Sequence, residues 1–314
     1  MENNITIGEI IKHYRLQKKL SQEKLAQGIC DRKYISHIEL GKQIPTLDIV
    51  NQLSKRLGIN LYETYALMLR HHDIETHKKI ERLNKCQVLD KRERLIDLIN
   101  QYKDLPGFQY GEPFLQLEYA KATYTSWPLG NYKQAIEIAQ KALSHEKSFC
   151  IDSAPSSQHY SNVELSLINV IALNYCRLKD FENGQKYFDF LYYYMEHLFE
   201  QSHYATNRNN HFEVRFLSTL VYNLFVFSKG KTEGLESKVD YALSLLKSLH
   251  SHNDLPELLL CKAYFLLSKG DVDIAYAIYQ TAHHLGLYLY GPDYQEHIEQ
   301  SVLGDKLSLL TPCT

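Results

Sequence analysis

A short run of polar residues has the chemistry to contact nucleic acid. Its members carry cations that attract phosphate, or donors and acceptors that reach base edges, and they are Arg32, Lys33, Ser36 and His37. Ile35 and Ile38 alternate with them at helical spacing and should face inward, which leaves the polar side chains on the outward face of a helix. We expect these four to read bases, and we expect Lys42 and Gln43, just beyond the helix, to contact phosphates. The alternative for each is an ordinary solvated side chain.

The common sequence motifs for phosphate binding, for a catalytic nucleophile and for zinc are absent. The sequence contains no G-x-x-x-x-G-K-[ST], G-x-S-x-G, H-E-x-x-H or G-x-G-x-x-G motif. The six cysteines include no C-x-x-C pair, which argues against a zinc ribbon or a dithiol centre. The pairs His71-His72 and His283-His284 would point about 100° apart on a helix, a poor start for shared coordination. We therefore predict no catalytic residues, no metal site and no cofactor.

The polar residues of this helix need neighbouring helices to position them. The sequence of the first seventy residues predicts five short helices. Apolar residues at helical spacing begin at Ile7, and a third helix should run from about Arg32 to Leu40. Capping and breaking residues separate the helices: Ser21, Gly41, Pro45, Gly58 and Asn60.

Three segments in this region resemble the Xre or λ-repressor type of helix-turn-helix. They are Ser21-Gln22-Glu23-Lys24-Leu25-Ala26, then Tyr34-Ile35-Ser36-His37-Ile38-Glu39-Leu40-Gly41-Lys42, then Pro45-Thr46-Leu47. The resemblance implies that the second helix of the motif enters the major groove of DNA and that Gln22 braces the DNA backbone or a base edge. We interpret Glu39 as a structural residue that orients a nearby basic group, because a carboxylate would repel phosphate.

From about residue 105 the sequence predicts a helical-repeat array. Turns at Gly130-Asn131, Lys179-Asp180 and Lys269-Gly270 each precede an apolar residue and then small residues at helical spacing. That pattern is typical of the second helix of a tetratricopeptide repeat, where Gly or Ala lets two antiparallel helices approach closely. A degenerate copy lies between Val214 and Leu249, with Lys229 to Gly234 as a lengthened turn.

The predicted fold is therefore all-α, because no window shows a two-residue alternation of apolar and polar residues. We expect a five-helix Xre/λ-repressor-like helix-turn-helix domain over residues 1–66, a linker helix region over 67–104, and a tetratricopeptide-like α-solenoid over 105–314. The solenoid should carry both peptide binding and dimerisation.

Charge divides along the same lines. The 314-residue chain has a net charge of −2, but residues 1–65 carry ten Lys and Arg against seven Asp and Glu, and the remainder carries 25 against 30. The net charge is therefore +3 for residues 1–65, called the head below, and −5 for the remainder, called the body. This division suits a head that binds nucleic acid and a body that binds a peptide. Since the sequence shows neither a signal peptide nor an apolar span, we expect a cytoplasmic protein without a membrane partner.

An Xre head joined to a tetratricopeptide body resembles the peptide-responsive quorum-sensing regulators of Gram-positive bacteria, the PlcR, Rgg, NprR and PrgX group. Tyr62-Glu63 and Asp73-Ile74-Glu75 are similar to the connection from head to linker helix, and Phe114-Leu115-Gln116 is similar to the first repeat, in PlcR. The resemblance implies a homodimer on the paired half-sites of a double-stranded DNA operator. It also implies a short signalling peptide in the concave groove of each repeat domain.

Five residues are candidates for holding that peptide. An Asn side chain supplies both a donor and an acceptor for an extended peptide backbone. Asn169 matches an asparagine that the group uses in this way, and Asn174 and Asn223 have apt chemistry. Arg215 could pair with an acidic side chain or the peptide's carboxylate, and Lys91 lies where PlcR has a lysine near its peptide. The alternative for each is a solvated or packed polar residue.

Two other functions remain open from the sequence. One is an Xre-headed scaffold that binds a protein partner and no peptide. The other is a bifunctional regulator that also dephosphorylates a response regulator, as related tetratricopeptide proteins do, although no residue here is singled out for that catalysis.

Overall fold

The computed structural model describes residues 6–71, 73–88, 92–127, 129–145, 149–154, 158–201, 211–228, 233–248, 254–292 and 294. The secondary structure of these residues is helical throughout, without a strand, which confirms the all-α prediction. The chain divides into two compact units, Met1–Gly130 and Asn131–Thr314. In the described ranges no helix has both the length and the apolar character needed to cross a membrane.

The first unit consists of eight helices and one 3-10 turn among its described residues. They are α1 (Ile7–Gln17), α2 (Gln22–Ala26), α3 (Arg32–Glu39), α4 (Leu47–Leu57), α5 (Leu61–His71), α6 (Ile74–Val88), α7 (Arg92–Tyr102), the 3-10 turn Pro106–Phe108, and α8 (Gly111–Ser126).

The short helices begin and end where the sequence predicted. Ser21 caps α2, since its Oγ accepts a hydrogen bond from the Lys24 backbone N–H at 3.1 Å. Gly58 ends α4 in the left-handed conformation, with φ of 61°, which glycine adopts without strain. After α3, the N–H groups of Gly41 and Lys42 donate back to Ile38 O and His37 O, both at 2.9 Å, and so satisfy carbonyls at the end of the helix.

The core of α1 to α5 is apolar and tightly closed. Ile35 is fully buried and Ile38 is 1% exposed, which confirms that this side of α3 faces inward. They pack in one cluster with side chains from each of the other four helices, among them Ile10, Leu25, Leu53 and Leu61. Burial of these side chains fixes α3 against the rest of the motif, because each contributes about 1.5–3 kcal/mol when removed from water.

A second core joins α6, α7 and α8. Its buried residues include Ile80, Leu83, Leu95, Tyr102 and Phe108. Helix α8 packs against α5, α6 and α7. Because of these contacts the first compact unit extends to Gly130, whereas the sequence led us to expect the repeat domain to begin at residue 105.

The second unit is built from seven helices among its described residues. They are α9 (Tyr132–Leu143), α10 (Asn162–Arg177), α11 (Phe181–Gln201), α12 (His211–Phe227), α13 (Leu235–Ser248), α14 (Leu255–Lys269) and α15 (Val272–Tyr290). Each helix packs on the next in the chain, and α12 also contacts α10 and α14, as expected for stacked helical repeats.

Small residues sit where these helices approach most closely. Ala135 and Ala139 of α9 and Ala275 and Ala282 of α15 are all fully buried. On α11, a Cβ added at Gly184 would lie 2.4 Å from Cys176 Sγ of α10, so a larger residue would force a shift at this contact. These contacts confirm the repeat pattern read from the sequence. The helices α12 and α13 form the predicted degenerate copy, although Lys229 to Thr232 of the turn between them lie outside the described residues.

Candidate functional site

The outward face of α3 carries the four polar residues predicted from the sequence. Arg32 and Lys33 are exposed, while Ser36 and His37 are half-buried. Asp31 caps the helix: its Oδ1 accepts a hydrogen bond from the Tyr34 backbone N–H at 2.6 Å, which fixes the first turn. The two cations therefore stand at the N-terminal end of a rigid helix, the part of a recognition helix that reaches base edges.

The segment after α3 is also open to solvent. Lys42 and Gln43 are exposed, and Ile44 beside them is 86% exposed. The backbone of Lys42 is held by its hydrogen bond to His37 O, so its ammonium group extends from a fixed position beyond the end of α3. This arrangement suits a contact with a phosphate next to the bases that α3 would read.

A buried ion pair ties α1 to α3. Arg15 Nε lies 2.6 Å from Glu39 Oε1, Arg15 Nη2 lies 2.9 Å from Glu39 Oε2, and the two residues are 8% and 6% exposed. The hydrogen bond to Glu39 raises the pKa of Arg15. The structure thus confirms that Glu39 orients a basic group, and it identifies Arg15 as that group.

Gln22 is connected to the same carboxylate. Its Nε2 donates to Glu39 Oε2 at 2.8 Å, and the side chain is half-buried at the start of α2. The hydrogen bond holds the amide in one orientation relative to α3. The bond gives Gln22 a structural role at the start of α2, and its contact with DNA stays a prediction.

A close approach of α1 and α3 escaped sequence reasoning. A Cβ added at Gly8 would lie 1.8 Å from Ile38 O, so a side chain at position 8 would push α3 away. Its only sequence signal is a glycine inside an otherwise regular helical pattern, and that signal does not name the partner helix.

Asn169 lies on α10 of the second unit with an unpaired polar atom. The side chain is half-buried, and its Oδ1 is enclosed without a hydrogen-bond partner. An enclosed acceptor without a partner costs about 1–3 kcal/mol. The Asn169 side chain thus contains an acceptor that no described residue satisfies.

Asn174 lies in the interior of the second unit. Its side chain is only 1% exposed, and its Nδ2 donates to Val170 O of the same helix at 2.7 Å. The peptide contact predicted for this residue would require its amide to leave this enclosed position.

The remaining peptide candidates are placed differently. Arg215 and Asn223 lie on α12, which contacts α10; Arg215 is exposed and Asn223 is half-buried. Sequence reasoning missed Asp254, whose Oδ2 accepts a hydrogen bond from Thr219 Oγ1 at 2.8 Å. Burial raises the pKa of Asp254, and the hydrogen bond from Thr219 and the charge of Arg215 partly oppose that rise. Lys91 lies outside the described residues.

Histidines and acids do not gather into a metal centre in the described part of the chain. No group of three or more His, Cys, Asp or Glu side chains there could hold a metal ion. His71 instead faces His77 of α6, with their Nδ1 atoms 2.7 Å apart.

Comparison with known proteins supports this description of both units. A helix-turn-helix family model matches residues 11–63. The control protein C.BamHI of Bacillus amyloliquefaciens is 45% identical over 64 residues, which are 19% of this chain and 78% of that protein.

Two solved structures share the fold of nearly the whole chain. The first is PlcR of Bacillus thuringiensis in complex with the peptide PapR7 and DNA, with a TM-score of 0.65 and 20% identity over 94% of this chain and 99% of that one. The second is a variant of the SHP pheromone receptor Rgg2 of Streptococcus dysgalactiae, with a TM-score of 0.55 and 16% identity over 95% and 100%. At identities this low, the structural match shows a common fold and nothing more.

Proposed function

Because the chain belongs to the helix-turn-helix family, we propose that it is a cytoplasmic transcriptional regulator that binds an operator of two half-sites as a homodimer. We further propose that a short signalling peptide, held by its repeat unit, controls this binding. The observation that supports the proposed DNA binding is the outward face of α3. Arg32 and Lys33 are exposed there, while the opposite side of the helix packs in the apolar core.

The surroundings of α3 support the same conclusion. The Arg15–Glu39 pair and the Gln22 hydrogen bond fix α1, α2 and α3 relative to one another. A rigid helix loses little conformational entropy when it enters the major groove, so the interaction energy goes into affinity. The exposed cations at positions 32, 33 and 42 would supply phosphate contacts and hence a strong salt dependence.

The peptide half of the proposal rests on Asn169. Its enclosed, unpaired Oδ1 would gain a hydrogen bond from a peptide N–H, and its Nδ2 could donate to the adjacent peptide carbonyl. Arg215 and Asn223 on the contacting helix α12 complete the proposed surface, and Lys91 stays a prediction. The shared fold with PlcR, whose structure contains both a peptide and DNA, supports this choice of ligand.

The DNA-binding proposal can be tested by selection from a random-sequence duplex library with the full chain. We expect an enriched sequence with two related half-sites, bound by a protein dimer in sedimentation analysis. Enrichment of no sequence over a shuffled duplex of equal composition would contradict it.

The peptide proposal needs a separate measurement. The enriched duplex is titrated with the full chain in the presence of a library of short synthetic peptides, and peptides that change the operator affinity are then tested singly by calorimetry. We expect at least one peptide to bind the protein and shift the operator affinity. Operator binding that no peptide alters would favour the alternative of a helix-turn-helix scaffold for a protein partner.

A further inference from the structure

Arg56, near the end of α4, contacts the turn between the two helices of the helix-turn-helix motif. Its Nη1 donates to Leu25 O at 2.9 Å and to Gln27 O, and it lies 3.5 Å from Lys24 O. One guanidinium group therefore forms hydrogen bonds with three backbone carbonyls at the C-terminal end of α2. Sequence reasoning gave Arg56 no role.

Backbone N–H groups satisfy other carbonyls of the same segment, so the two sets of hydrogen bonds do not overlap. Gln27 N donates to Glu23 O at 3.0 Å, and the N–H groups of Ile29 and Cys30 both donate to Ala26 O, at 2.8 and 3.0 Å. A helix leaves its last four carbonyls without partners in the helix, and a cation at that end also complements the helix dipole. Arg56 thus completes the C-terminal cap of a helix that is only five residues long.

The base from which Arg56 extends is rigid. It lies in the last turn of α4, between Leu53 and Leu57, both fully buried in the core. Its influence reaches the end of the turn: burial raises the pKa of the Cys30 thiol, and the positive charge of Arg56 opposes that rise. Cys30 is separated from Arg32, the first residue of α3, only by the capping residue Asp31.

We propose that Arg56 is a positioning residue that sets the orientation of α3 relative to α2 by holding the intervening turn. This inference rests on the proposed function for its consequence on DNA. Residues 28–31 connect the carbonyls that Arg56 holds to Arg32 and Lys33, so a shift of the turn moves both cations away from the bases they would contact. A displacement of about 1 Å is enough to weaken oriented hydrogen bonds strongly.

Lys55 offers a matched control on the same helix. It is an exposed cation next to Arg56 in sequence, and its removal lowers the net charge by the same amount. If Arg56 contributed only long-range attraction to DNA, R56A and K55A would have equal effects at every salt concentration. Arg56→Lys retains the charge and one donor nitrogen but loses the planar fork.

The first test needs no DNA. Amide hydrogen exchange of the full chain is compared for wild type, R56A, R56K and K55A, with circular dichroism to verify the helix content. We expect the hydrogen-bonded amides of Gln27, Ile29 and Cys30 to exchange about five- to tenfold faster in R56A, with an intermediate effect in R56K, because a capping interaction is lost. Exchange that is equal in R56A and K55A would overturn the inference.

The second test connects the turn to DNA. Affinity for the duplex enriched by the wild-type chain is compared with affinity for a shuffled duplex. We expect R56A to lose about five- to tenfold on the enriched duplex beyond its loss on the shuffled one, whereas K55A should weaken both equally. The loss of specific affinity caused by R56A should be smaller when Arg32 is already Ala, and an undiminished loss in that background would overturn the inference.

If the wild type enriches no duplex, the proposed function fails. Hydrogen exchange then tests the role of Arg56 by itself.

Discussion

The imidazole rings of His71 and His77 share a hydrogen bond between their Nδ1 atoms, which lie 2.7 Å apart. His71 ends α5 with 5% exposure, and its Nε2 lies 3.5 Å from Glu112 Oε1 of α8. One ring donates and the other accepts, so the bond requires at least one neutral imidazole. The pair therefore links the last helix of the DNA-binding motif to α6 only while that neutral ring persists.

This pairing predicts that the first unit loses stability in mild acid. Burial lowers the pKa of His77 below its ordinary value of 6.5, and the nearby charge of His71 lowers it further. Since the unfolded chain takes up this proton at a higher pH than the folded chain, the free energy of unfolding should fall as the pH drops below about 6.5. We expect a contribution of up to about 1 kcal/mol, because His77 is only half-buried.

Urea unfolding between pH 7.5 and 5.5 measures this effect. The His77→Gln variant should lose part of the pH dependence, because Gln does not titrate. His284→Gln, at an exposed position on α15, serves as the control and should retain it. Identical pH profiles for wild type and His77→Gln would contradict the prediction.

Replacing Arg32 and Lys33 together by Ala should abolish specific operator binding. Both side chains are exposed on α3, so their loss removes base and phosphate contacts without disturbing the core. We expect a loss of about 2–6 kcal/mol in binding free energy and a smaller salt dependence, measured by gel shift at several salt concentrations. Lys133→Ala with Lys141→Ala, two exposed cations of α9, removes the same charge outside the motif and should leave specific binding intact.

Breaking the Arg15–Glu39 pair on one side should destabilise the motif more than replacing both residues. Arg15→Met or Glu39→Leu alone leaves a buried charge unpaired, at a cost of about 3–5 kcal/mol. The double variant buries apolar groups instead and should recover most of that loss. A double-mutant cycle in urea unfolding checks the prediction, and simple additivity of the two single effects would refute it.

Gly8→Ala should weaken the motif although alanine favours helices. The added Cβ would lie 1.8 Å from Ile38 O, so α1 and α3 must separate. Overpacking of this kind costs about 1–3 kcal/mol, measurable as a lower midpoint of urea unfolding. Lys12→Ala, at an exposed position on the same helix, is the matched control. An equal unfolding midpoint for the two variants would show that α3 moves away from α1 without a loss of stability.

Asn169→Ala should weaken peptide binding by about 1–3 kcal/mol, because a peptide amide would lose its partner in an enclosed site. Calorimetry with a peptide found in the library titration provides the measurement. Asn162→Ala, an exposed asparagine at the start of α10, should bind like wild type. An unchanged dissociation constant for Asn169→Ala would place the peptide elsewhere.

The sequence alone determined the helices of the motif and the side of α3 that faces outward. Caps such as Ser21 and Gly58 act through hydrogen bonds between residues three to five positions apart, so they are readable from local sequence. The inward side of α3 follows from Ile35 and Ile38 because apolar residues at helical spacing must be buried together. The resemblance to peptide-responsive regulators likewise predicted the fold of the whole chain.

Only the tertiary structure decided which residues meet across helices. Arg15 with Glu39 and Arg56 with the end of α2 are separated by 24 to 32 residues in sequence, and their pairing depends on how helices cross. The same crossings place Asn174 in the interior and leave Asn169, on the same helix, with an unpaired oxygen. Helical periodicity shows that a residue can face a neighbour, but the packing of all the side chains selects the neighbour.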